Sequence, residues 1–153
     1  MEFPYLCNLT YSQAKDMTLK DYLNTNDRFA ADNGMFLTQV TPDFAVAVMT
    51  VGEHHLNGAG ICQGGALFTF ADLAIAAAMN ACGNVTLGLE NAMTFHHPAR
   101  VGDRLTARAS VTCDHRRIPF CRVEITNADG TLIASGTSLG YRKADVMPFD
   151  SLM

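Results

Sequence analysis

Apolar side chains run almost unbroken from residue 66 to 82, inside the stretch GICQGGALFTFADLAIAAAMNACG (residues 60–83), and one carboxylate, Asp72, stands in their middle. The glycines Gly64 and Gly65 precede the run and Cys82-Gly83 closes it, which predicts a helix from about Gly64 to Ala81. A helix that is apolar on nearly all sides has to be surrounded. Upstream, TLKDYLNTNDRFAA (residues 18–31) reads as a short amphipathic helix opened by Thr18, with Leu19, Tyr22, Leu23, Phe29 and Ala30 inward and Asn33-Gly34 as its stop. MFLTQVT and FAVAVMTV read as a hairpin about Pro42-Asp43, its second strand carrying Phe44, Val46, Val48 and Thr50 on one face.

Beyond Gly83 the period changes to two. Leu105, Ala107, Ala109, Val111 and Cys113 alternate with Thr106, Arg108, Ser110 and Thr112, and Cys121, Val123 and Ile125 alternate with Arg122, Glu124 and Thr126. An Asp129-Gly130 turn leads into the last strand, and TLGLENAMTFHHPA is a further strand ended by Pro98. The order is helix, two strands, long helix, four strands. Alternating strands want one covered face, and the apolar helix wants a cover, so the economical solution, among other sheet-on-helix arrangements that pattern alone leaves open, is α+β: an antiparallel sheet wrapped around a long central helix, the layout called a hotdog fold.

Composition narrows the classes. With 153 residues, 48% of them hydrophobic and 17% charged, the chain suits one domain over 1–153 with a sizeable core. A net charge of -4 and eleven scattered Lys and Arg residues argue against nucleic acid as a partner. A membrane span would need roughly 20 apolar residues and would bury Asp72 at a cost of several kcal/mol or more, which argues against residues 66–82 as one. The N-terminal MEFPYLCNLT has an acid at Glu2 and no basic or apolar leader, so a cytoplasmic location is expected. Five cysteines, at 7, 62, 82, 113 and 121, form no CxxC pair, and Cys113 and Cys121 are expected to face each other reduced across a hairpin. The histidines come as His54-His55, His96-His97 and His115, and adjacent residues on a strand point apart, so no metal is expected.

The candidate chemistry starts from Asp72, because a carboxylate on an apolar helix is paired, capping or functional. Gly64 and Gly65 allow close backbone approach at a helix N-terminus, where free N–H groups and the positive dipole end suit a developing oxyanion; the pair also suits tight packing alone. Asn57 offers a donor and an acceptor, although LNGAG is also a turn, and Gln63 shares the ambiguity. Eight residues separate Gly64 from Asp72, roughly 12 Å along a helix at ~1.5 Å per residue, so one helix cannot bring both to a single carbonyl carbon. If they cooperate, two antiparallel copies must pack side by side, and a homodimer with two sites follows. His96, His97, Arg100, Arg116 and Arg117 are candidates for phosphate contacts, against a reading as solvated turn residues. Phe68, Phe70, Met79 and Met93 are candidates for an apolar pocket.

The runs HLNGAGICQGGALFTFADLAIAAAMNACG, FHHPARVGDRLTARASV and VEITNADGTLIASGTSLGYR resemble the hotdog-fold acyl-CoA thioesterases of the phenylacetate-degradation type, over about Asn26 to Arg142. The resemblance implies hydrolysis of a small aromatic or medium-chain acyl-CoA to a free acid and coenzyme A, with no cofactor, by a homodimer or a dimer of dimers. It implies that Asp72 is the catalytic carboxylate, as general base or nucleophile, that the Gly64 N–H, with Gly65 beside it, polarises the thioester carbonyl, and that Asn57 orients water or substrate. Family members commonly carry His where this chain has Gln63, which cannot carry a proton at neutral pH and is expected to position rather than protonate. In some members a Ser or Thr on the following strand completes the site, and Thr86 is the nearest candidate. A non-catalytic acyl-CoA-binding protein and an enoyl-CoA hydratase are the competing readings, the second disfavoured because no other His or Glu stands near the helix in a matching motif.

Overall fold

The computed structural model describes residues 17–149; the N-terminal decapeptide and its Cys7 lie outside them. Helices α1 (Leu19–Asn26) and α2 (Arg28–Asp32) precede strands β1 (Phe36–Val40) and β2 (Phe44–Thr50). After a 3-10 turn, Glu53–His55, come helix α3 (Gly64–Asn80) and strands β3 (Asn84–Phe95), β4 (Arg104–Cys113), β5 (Phe120–Asn127) and β6 (Leu132–Val146). The six strands form one antiparallel sheet in the order β1-β2-β4-β5-β6-β3, and α3 packs on its concave side: this is the hotdog fold.

Small residues let helix and sheet come together. Ala71, Ala74, Ala77 and Ala78 on α3 are buried, as are Ala45 and Ala47 on β2 and Ala107 and Ala109 on β4, with Phe70, Leu105, Val123 and Ile125 filling the remaining volume. This close approach inverts the expected phase of β2. Its inward residues are Ala45, Ala47 and Met49, while Phe44, Val46 and Val48 lie half-buried on the other face and Thr50 is exposed. The outer face has its own partner for the ring: the Arg108 guanidinium lies 3.5 Å from the Phe44 centroid.

The single helix expected over 18–31 is two. Thr18 Oγ1 accepts from the Asp21 N–H at 3.1 Å and caps α1, but Asp27 breaks the run and caps α2 through the Ala30 N–H, also at 3.1 Å. The break rotates Phe29 outward, to 66% exposure, while Leu19, Tyr22 and Ala30 stay buried. Gly34 stops the second helix at φ 67°, as a left-handed residue should.

Alternation on β4 and β5 holds at Leu105, Ala107, Ala109, Cys121, Val123 and Ile125, then fails at a register shift between Val111 and Cys113. The shift exposes Cys113 and sets it opposite Phe120, so Cys121 pairs with Val111 and not with Cys113. Both thiols are free, and burial pushes that of Cys121 up to about 11. Among the described residues no helix is long and apolar enough to cross a membrane, and no three His, Cys, Asp or Glu side chains gather as metal ligands.

Candidate active site

The start of α3 is built by its own side chains. Gln63 is the N-cap, and its Oε1 accepts from the Ala66 N–H at 3.1 Å. A Cβ on Gly65 would meet that Oε1 at 2.6 Å, so Gly65 is the residue that admits the cap. Gln63 was expected to position substrate or water; what it holds in this structure is the helix end. A Cβ on Gly64 would meet the Phe95 ring at 3.1 Å. By helix geometry the first N–H groups, those of Gly64 and Gly65, have no acceptor within α3 and carry the positive end of its dipole.

Gly64 and Asn57 line one cleft, of about 440 Å3, with Leu67, Phe95, His96 and His97. Both readings of Asn57 apply, each to a different atom. Its Oδ1 accepts from the Ala59 N–H at 2.9 Å and shapes the turn, which leaves Nδ2 as the group it can offer to a ligand.

His55, which sequence reasoning weighed only as a metal ligand, secures the loop between β2 and α3. It lies in the 3-10 turn rather than on a strand, is 3% exposed, and its ring is 3.9 Å from that of His54. Nδ1 accepts from the Gly52 N–H at 2.9 Å and Nε2 donates to the Asn33 carbonyl at 3.0 Å, while the backbone carbonyl accepts from the Gln63 N–H at 2.7 Å. That pattern needs the neutral imidazole. Burial lowers the His55 pKa below its ordinary 6.5, the Asn33 carbonyl opposes this, and the charge on His54 adds to it. The unfolded chain therefore binds the extra proton first, so the stabilisation is complete above about 6.5 and is lost as pH falls. Thermal melts should show Tm falling between pH 7 and pH 5, and His55→Gln, which accepts and donates without titrating, should flatten the fall; an unchanged slope would refute this assignment.

Asp72 stands in a second groove, about 450 Å3, between α3 and the edge strand β3, with Phe68, Ile75, Ala76, Met79 and Asn91 around it. It is exposed in the single protomer, yet its carboxyl lies on an apolar helix face. Desolvation there raises its pKa above the ordinary carboxylate value; the hydrogen bond from Asn91 opposes this and the charge of Asp27 adds to it. Asn91 Nδ2 donates to Asp72 Oδ1 at 2.6 Å. Sequence reasoning missed Asn91, because β3 shows no clean alternation and its register shifts between Gly88 and Glu90, so nothing local marks which of its polar residues faces α3.

The remaining candidates divide between the two ends of α3. Thr86 shares the Asp72 groove, but its Oγ1 donates to the Asn84 carbonyl at 3.2 Å. Arg116 and Arg117 lie in the β4–β5 loop, which reaches the C-terminal end of α3: the Arg142 N–H donates to the Arg117 carbonyl, and Pro119 and Met79 crowd Gly140. Arg100 is at the opposite end, exposed in a turn held by its own N–H to Asp103 Oδ2 at 2.7 Å. Of the four apolar pocket candidates, Phe68 and Met79 line the Asp72 groove and Met93 lines a smaller cavity beside it. Phe70 is fully buried in the core and lines neither.

The chain is 35% identical to the Escherichia coli acyl-coenzyme A thioesterase PaaI over 109 residues, 71% of this chain and 78% of that one, and a model of the thioesterase superfamily matches residues 59–134. It belongs to the thioesterase superfamily. Residues 59–134 take in Gly64, Asp72 and Asn91 but leave Asn57 just outside. The solved structure of the Escherichia coli PaaI protein from the phenylacetic acid degradation operon superposes with a TM-score of 0.78 at 31% identity, covering 81% of this chain and 90% of that one. A mutant of the phenylacetic acid degradation protein PaaI from Thermus thermophilus gives 0.73 at 32%, covering 76% and 100%. The superfamily fold therefore extends beyond the matched segment, to most of the sheet around α3.

Proposed function

We propose that the protein is an acyl-CoA thioesterase that hydrolyses a small aromatic or medium-chain acyl-CoA, and that two copies share each site. The observation that carries this reading is the separation of the machinery: Asn57 and Gly64 line one cleft and Asp72 another, roughly 12 Å apart along one helix. The Gly64 cleft holds the free N–H groups of the helix end but no carboxylate, and the Asp72 groove holds the carboxylate but no helix end. An antiparallel α3 from a second copy would bring its Gly64 to Asp72. The face of α3 left uncovered by the sheet carries Gly65, Phe68 and Asp72, and the outer edge of β3 is unpaired in this protomer, with Leu87 and Leu89 exposed beside it.

In the assembled site the thioester oxygen points at the Gly64 N–H and the helix end, which stabilise the charge of the tetrahedral intermediate. Asp72 takes a proton from water as the water oxygen adds to the carbonyl carbon; the raised pKa makes it a stronger base than an ordinary carboxylate. As the C–S bond breaks, that proton passes to the thiolate, leaving acid and thiol. The similarity to a protein named as an acyl-coenzyme A thioesterase supports coenzyme A as the thiol. A thiol-release screen across aryl, medium-chain and short acyl-CoAs tests the reading: release is expected for an aryl or medium-chain member, and tight binding of every acyl-CoA without release would favour the binding-protein reading.

A further inference from the structure

Three buried side-chain atoms lack a hydrogen-bond partner among the described residues: Asn91 Oδ1, Ser138 Oγ and Arg142 Nε. The first two belong together. Asn91 on β3 and Ser138 on β6 are direct cross-strand partners, so their side chains leave the same face of the sheet with Cβ atoms about 5 Å apart. That face is the concave one, because Asn91 reaches Asp72 on α3 and Ser138 is 2% exposed. An unpaired buried acceptor and an unpaired buried hydroxyl, side by side under a carboxylate, are a costly arrangement unless they serve one another.

We propose that Asn91 and Ser138 form a polar relay beneath Asp72, in which the Asn91 amide reverses as Asp72 passes between carboxylate and carboxylic acid. With Asp72 ionised, Asn91 Nδ2 donates to it, as observed; Ser138 Oγ and Asn91 Oδ1, unbonded to each other in this structure, come within reach by a χ1 turn of Ser138, whose Oγ–H then donates to Oδ1. When Asp72 holds the proton taken from water, a half-turn of the amide presents Oδ1 to the carboxyl O–H and Nδ2 to Ser138 Oγ, which then accepts. A hydroxyl is the one simple group that satisfies either orientation, since it both donates and accepts. The small cavity lined by Asn91, Phe68, Ala71, Ile75, Met93 and Val123 lies beside the amide. No bond other than hydrogen bonds changes, and the proton leaves Asp72 for the thiolate as in the reaction above.

The ionisable groups around Asp72 are few. Glu90 shares its groove, Asp27 faces it from the α1–α2 junction, and Asp72 is the only ionisable residue of α3 itself. The concave faces of β5 and β6 add Cys121, neutral because burial pushes it up to about 11, and Arg142, paired with Asp114 at 2.7 Å. Asn91 is thus the hydrogen-bond donor that favours the Asp72 charge.

The relay rests on the general-base reading of Asp72, but its test does not need turnover. The Asp72 carboxyl carbon is titrated by 13C NMR in wild type, Asn91→Leu, Ser138→Ala and the double variant, each checked for fold by its melt. Asn91→Leu should make Asp72 about tenfold weaker as an acid, and Ser138→Ala about two- to threefold, through loss of amide orientation. In the double variant the Ser138 effect should vanish, because it acts only through Asn91. The acid limb of kcat/KM should move upward in step, with KM nearly unchanged. An Asp72 titration unmoved in folded Asn91→Leu, or a Ser138 effect that persists without Asn91, would overturn the relay. Normal shifts with no thiol release would instead fault the functional reading alone.

Discussion

Asp72→Asn is expected to abolish thiol release, lowering kcat by about a thousandfold or more while acyl-CoA binding is retained, because the amide keeps the shape and its Oδ1 still accepts from Asn91 but cannot take a proton. Steady-state thiol release with a binding isotherm on the variant measures both quantities, and wild-type turnover would remove Asp72 from the mechanism. Stability should move the other way. The folded pKa of Asp72 lies above the ordinary value, so between the two the folded state holds the extra proton and stability falls as pH rises through that window. At neutral pH the charge opposes folding, and the Asn variant should melt at the same temperature as wild type or higher. In a single turnover in labelled water, the base role leaves no solvent oxygen in the Asp72 carboxylate; label found there would establish direct attack and a mixed anhydride instead.

The second large effect is complementation between two inactive chains. Gly64→Leu should be inactive, since even a Cβ at that position meets the Phe95 ring at 3.1 Å and a larger side chain obstructs the N–H. Its partner is Asp72→Asn. If Asp72 of one copy works with Gly64 of the other, a mixed dimer rebuilds one wild-type site from the two intact residues and doubles the damage in the other. Random pairing makes about half of the dimers mixed, so co-expressed chains should recover about a quarter of wild-type activity, from nearly none. Sites contained within one protomer would recover nothing, and that result would end the shared-site proposal whatever the oligomeric state.

Much of the architecture was legible because it rests on periodicity. The run from Gly64, the two-residue alternation of β4 as far as Ala109 and of β5, and the stops at Gly34 and Gly130 all depend on the local chain, and the structure agrees with each. The failures are also physical. Asp27 could as well have continued a helix as capped a new one, and only the fold selected the cap. Both faces of β2 are apolar, and Phe44, Val46 and Val48 outweigh Ala45, Ala47 and Met49 in hydrophobicity, so pattern alone pointed to the face that does not meet α3. Closeness of the helix decided it in favour of the small side chains.

At the site, Asp72 stood out because burying a carboxylate is expensive wherever the helix lies, and the 12 Å spacing to Gly64 followed from helical rise alone, at roughly 1.5 Å per residue. Composition, pattern and spacing thus determined by themselves an α+β fold with one long apolar helix and a carboxylate that needs company. Only the tertiary structure supplied that company. Asn91 is 19 residues away from Asp72 and Ser138 a further 47, and their meeting depends on the register of β3 against β6, which no local preference encodes. Gln63, by contrast, caps locally, its Oε1 accepting from an N–H only three residues along, at Ala66. Local periodicity acts over a few residues and is written into them, whereas hydrogen-bond partners across a sheet are chosen by pairing between distant segments.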